Sequence, residues 1–103
     1  MSILRFPAEP PHFDGECVRF RAVTEQRDVT CGVTIYALKH RCSHLPLEGL
    51  LPAEAFLQAY SDGQDEIHKI AKAKFKVRSY EPEGDVEIMV HDHDFHDWKQ
   101  RPQ

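Results

Sequence analysis

Five of the chain's seven histidines fall in two short clusters, His40–His44 and His91–His96. The later one, His91-Asp92-His93-Asp94-Phe95-His96-Asp97-Trp98, is the densest set of potential metal ligands. On a strand, His91 and His93 share a face with Cα atoms about 7 Å apart. Two imidazoles at that spacing can share a divalent ion, with His96 or Asp97 as a further ligand. His91, His93 and His96 are therefore the candidate metal site. The competing reading is a polar strand end whose charges keep a sheet edge from pairing with other chains. Ordered surroundings that would orient metal ligands are scarce beside a terminus. In His40-Arg41-Cys42-Ser43-His44, a helix would put the two histidines on one face and Cys42 about 160° away, so only a loop could gather all three.

The cysteines are Cys17, Cys31 and Cys42. Three thiols cannot all pair within one chain, and the simplest reading is reduced cysteine in a cytosol. Cys31 alternates in phase with Val29 and Val33, which marks it as buried and inert rather than a nucleophile. Lys69, Lys72, Lys74, Lys76 and Arg78 make a basic run. It complements the C-terminal end of a helix dipole, and Asp65 and Lys69 stand at i and i+4. The same run is the candidate nucleic-acid surface. No phosphate-cradling glycine loop or dinucleotide turn is present, and no carboxylate pair stands out for acid–base work. No catalytic residue and no cofactor is assigned.

These groups need elements to position them. Cys17–Val23 alternates with Val18, Phe20 and Ala22 on one face, and Asp28–Thr34 with Val29, Cys31 and Val33. Joined by Thr24-Glu25-Gln26-Arg27, they predict a hairpin with one apolar face. Thr34 is a helix N-cap for a short helix through Ile35 and Leu38 toward Cys42. Ser43–Leu51 reads as a connection. Phe56, Tyr60, Gly63, Ile67, Ile70 and Lys74 then step by four and three, with Ala59, Ala71 and Phe75 widening the stripe. This predicts one amphipathic helix from Pro52 to Phe75, with a break at Ser61-Asp62-Gly63 as the alternative. Val77–Glu81 and Asp85–His91 flank the turn Pro82-Glu83-Gly84 and read as two further strands.

The expected fold is α+β. An antiparallel sheet, with elements in the order strand, strand, helix, helix, strand, strand, carries its helices on one face. At 103 residues and a formal charge of −4, one domain is expected over 1–103. Residues 1–16 form an extended arm and residues 97–103 a disordered tail. Neither a signal peptide nor a membrane span is legible, which points to the cytoplasm.

Phe6-Pro7, Cys17-Val18-Arg19-Phe20, Val29-Thr30-Cys31, Ala37-Leu38, Phe56, Ile67, Ala71 and Asp94-Phe95 are together similar to the bacterial domain-of-unknown-function family numbered 1488. The resemblance runs from Phe6 to Phe95 and departs from the family pattern in the connection His40–Pro52 and after Phe95. It implies a small bacterial α+β protein and carries no activity or site residue. The functional expectation is a non-catalytic protein-binding or regulatory module. Its partner is an unidentified protein or, in a homodimer, a second copy of the chain. Mixed charge argues against a nucleic-acid partner. The alternatives are a metal-binding protein using His91, His93 and His96, and a nucleic-acid accessory protein using Lys69–Arg78.

Overall fold

The computed structural model describes residues 3–39, 52–78 and 80–95. The hairpin forms as its alternation dictates. Strand β2 (Cys17–Val23) pairs antiparallel with β3 (Asp28–Thr34), in a register that sets Val18 opposite Val33, Phe20 opposite Cys31 and Ala22 opposite Val29. The turn between them is closed by Thr24, whose Oγ1 accepts hydrogen bonds from the Gln26 and Arg27 amides. Thr34 caps α1 (Ile35–Ala37), its Oγ1 accepting from the Ala37 N–H at 3.1 Å. Cys42, the His40–His44 cluster and the connection Ser43–Leu51 lie outside the described residues.

Helix α2 (Pro52–Val77) runs unbroken through Ser61-Asp62-Gly63, so the one-helix expectation holds and the break does not occur. Its apolar stripe turns Phe56, Ala59, Tyr60, Ile67, Ile70 and Ala71 into the core, each under 9% exposed. They join Val18, Phe20, Ala22, Val29, Cys31 and Val33 in one cluster, completed by Leu4, Leu38 and Phe95. Phe13 meets Phe56 at 5.3 Å between ring centroids, and Phe20 meets Tyr60 at 5.2 Å.

Three expectations need correction. The sheet is mixed rather than antiparallel, with β1 (His12–Phe13), β2, β3 and β4 (Ile88–Val90) side by side in that order. Strand β4 (Ile88–Val90) pairs parallel to β3, with Cys31 opposite Ile88 and Val33 opposite Val90. Parallel neighbours need a crossover connection, and α2 supplies it between β3 and β4.

Second, the described residues of Val77–Glu81 form no strand. The helical pattern extends to Val77, and Arg78 closes the helix at φ 54, the left-handed conformation common just beyond a helix end. The expected strand Asp85–His91 shrinks accordingly. A tight turn links Glu83 and Val86 through both backbone hydrogen bonds, 2.8 and 3.0 Å, with Gly84 supplying φ 61. After Val90, the Asp94 carboxylate takes the His91 N–H at 2.8 Å and starts a helical turn over residues 92–95.

Third, the element order gains a strand within the arm. Arg5 exchanges backbone hydrogen bonds with Val23 at 2.9 and 2.8 Å, and β1 (His12–Phe13) adds to β2. Pro10 and Pro11 lack the amide a longer β1 would need. The described elements thus run strand, strand, strand, helix, helix, strand. The tail, residues 97–103, lies outside the described residues. Among the described residues, no helix is long and apolar enough to cross a membrane.

The sheet face away from α2 carries charge. Arg21 bonds Glu9 and Asp28, and Arg19 bonds Asp14 at 2.7 Å. At the β4 side this face closes over Gly32. A Cβ there would stand 3.2 Å from Met89 Sδ and from Val86 Cγ1, and 3.3 Å from Cys17 Sγ, so glycine is what lets the layer seal. The same packing buries Cys17, although alternation places it opposite Val18.

Candidate functional site

The basic end of α2 divides by helical geometry. Lys69, Lys72 and Lys76 follow at steps of three and four and share an outward face. Lys74 points elsewhere. Its ammonium, 16% exposed, donates to the Met89 carbonyl at 2.9 Å and to Asp94 Oδ2 at 2.8 Å. It ties the end of α2 to the end of β4 and leaves the solvent-facing set.

Lys72, Lys76 and Arg78 border a groove of about 680 Å³ whose apolar lining is Ile3, Leu4 and Phe75. Gln26 completes it, and none of its lining residues is acidic. Ile3 is 63% exposed. The arm forms one wall because the Arg5–Val23 pairing holds it beside the sheet. Lys72 also borders a second depression with Arg5, Phe6, Asp65, His68 and Lys69. There the Phe6 ring stacks on His68 with centroids 3.9 Å apart and planes 4° apart, and the Lys72 ammonium lies 5.8 Å from the Phe6 centroid. Asp65 and Lys69, one turn apart, both border this depression but form no ion pair.

Beneath Phe6, His68 Nε2 lies 2.7 Å from the hydroxyl of buried Tyr60. Burial lowers the His68 pKa, Asp65 opposes that shift and Lys72 adds to it. Burial raises that of Tyr60. The pair is a hydrogen-bonded support under the stacked arm, with both groups held neutral. Sequence reading overlooked His68, Phe6 and Ile3 as surface-forming residues. One signal was available, since His68 precedes Ala71 by three and Phe75 by seven, on the flank of the apolar stripe.

The histidine cluster sits on a different edge. The strand expected to carry it ends at Val90, yet the His91 and His93 rings stack, 5.4 Å apart and within 7° of parallel. His91 Nε2 lies 2.6 Å from Glu83 Oε2, and His93 Nε2 lies 3.6 Å from Asp94 Oδ1. Both imidazoles therefore already face carboxylates. Among the described residues no three His, Cys, Asp or Glu side chains converge as a metal-holding group. His96 lies outside the described residues.

Cys17 and Cys31 are poorly placed for nucleophilic work. Burial, reinforced by the Asp14 carboxylate, pushes Cys17 up to about 11, and burial pushes Cys31 up to about 12. A thiolate nucleophile needs the opposite shift.

A single long helix laid across one face of a small mixed sheet, with a cation-rimmed groove at its end, defines an α+β domain. The family follows from the sequence itself. The chain belongs to the DUF1488 family of proteins of unknown function, whose model matches residues 4–88. Comparison with curated proteins and with solved structures gives no match.

Proposed function

We propose that this chain is a non-catalytic protein-binding module of the bacterial cytoplasm, and that its partner docks in the groove between the arm and the end of α2. One observation carries the reading: exposed Ile3 and half-buried Phe75 stand in the same groove as Lys72, Lys76 and Arg78. Apolar surface rimmed by polar groups is how an association site differs from ordinary surface. The volume also falls in the range of about 300–1,000 Å³ usual for ligand-sized clefts. Cys17 and Cys31 held protonated, with His68 engaged by tyrosine and His91 and His93 by carboxylates, favour binding over turnover.

Photo-crosslinking tests this reading. A benzophenone side chain at Ile3 is expected to yield a discrete protein adduct in a lysate of the source organism, or a dimer of the chain with itself. The same group at Thr30, on the charged sheet face, is expected to yield none. Equal labelling from both positions, or no adduct from Ile3, counts against the reading.

A further inference from the structure

We propose that the occupant of this groove is an acidic segment of a partner protein that carries an aliphatic side chain. The inference rests on the protein-binding reading and adds the partner's chemistry. The whole chain has a formal charge of −4, yet the charged residues lining the groove are Lys72, Lys76 and Arg78, all cationic. Lys69 and Arg5 extend the positive surface through the neighbouring depression, where the one acid is Asp65. Among the described residues none of these five cations is held in an ion pair, whereas Lys74, Arg19, Arg21 and Arg27 all are. Paired cations brace the fold; of the six described cations outside ion pairs, five are gathered on this face, and the sixth, Lys39, stands over the Phe56 ring. Their field draws carboxylates, and exposed Ile3 offers an aliphatic contact between them.

A nucleic acid would meet the same charges but lacks a platform. The aromatic rings beside these cations are already stacked, Phe6 on His68 and Phe75 on Tyr80 at 6.3 Å. Single-stranded nucleic acid relies on open rings for base stacking. An acidic peptide needs none, and its aliphatic side chain has Ile3 and the edge of Phe75 to cover.

The test is fluorescence anisotropy with a short labelled peptide carrying leucine between glutamates. Three competitors accompany it: lysine in place of glutamate, serine in place of leucine, and oligothymidylate. The leucine–glutamate peptide is expected to bind most tightly and to weaken as salt rises, because exposed charges are screened within about 8–10 Å at 0.10–0.15 M ionic strength. Lys72→Glu combined with Lys76→Glu should weaken it by about tenfold, since each reversal replaces an attraction with a repulsion. Both residues are exposed, so melting should be unchanged; Arg78→Glu, beyond the helix, repeats the test should the double variant misfold. Four results would each overturn the proposal: preference for the lysine peptide, equal binding of the serine peptide, tighter binding of oligothymidylate, or indifference to charge reversal. A protein adduct from Ile3 alongside such a failure would remove the acidic partner and leave the binding module standing. Absence of the adduct would remove the module itself.

Discussion

His68 joins three layers of this protein: it accepts the Phe6 ring from the arm, reaches Tyr60 in the core and borders the cationic surface. Its pKa is lowered chiefly by burial from an ordinary value of 6.5. Above that value folded and unfolded chains both hold it neutral, and its contribution to stability is complete. As pH falls below it, the unfolded chain takes up the proton first, so stability is lost until the folded-state value is passed. Melting is therefore expected to fall as pH drops below the ordinary value of 6.5, and His68→Gln should flatten that dependence. Differencing the variant against the wild type removes the background of the other histidines. An unchanged pH profile in the variant would refute the coupling. Asp14 acts at a lower pH. Hydrogen bonds from the Glu16 and Cys17 amides, with Arg19 alongside, lower its carboxyl from 3.8 to about 2, so its contribution is complete above the ordinary value and is lost as pH falls from there toward the folded one.

Among the elements, α2 and β4 depend on each other through Lys74. The helix presents one ammonium to a carbonyl at the sheet edge and to the carboxylate that starts the turn over 92–95. Asp94 and Lys74 are 13% and 16% exposed, too enclosed for water to replace the lost partner fully. Lys74→Met keeps the stem and removes the charge; it should cost about 1.5–3 kcal/mol, the range for hydrogen bonds to charged groups. Lys72→Ala, two residues away on the exposed face, should cost no more than about 0.5 kcal/mol. Denaturant midpoints that move equally for the two variants would show that Lys74 is another surface cation. The stripe of α2 made the helix legible from sequence, but the same periodicity could not say which lysine turns inward. That choice depends on where β4 comes to rest.

For the whole molecule, the core closes without covalent help. Cys17 and Cys31 are free and buried, on opposite faces of the sheet. Reductant should leave the melting temperature unchanged. Alkylation of native protein should be slow, because burial keeps both thiols protonated at neutral pH. Intact mass after alkylation in denaturant should show three modified cysteines. A native disulfide whose reduction lowers stability would overturn this.

The structure decided that the stripe of α2 is one unbroken helix, while the sequence by itself determined the α+β class, the hairpin, the helical stripe and the family. Each is written in local periodicity or in residues that the family pattern shares: period two in Cys17–Thr34, steps of three and four from Phe56 to Phe75. Only tertiary structure decided that β4 runs parallel to β3, because strand direction depends on where the crossover returns the chain and not on the residues of the strand. The same holds for the groove. Ile3 and Phe6 stand more than sixty residues from Lys72 and Phe75 in sequence, and no local pattern relates them. The arm's pairing with Val23 and the stack of Phe6 on His68 bring them together. The histidines were conspicuous by composition, yet composition could not show that Glu83 and Asp94 would face His91 and His93. Contacts between segments distant in sequence set those partners, and they form only once the chain has closed on itself.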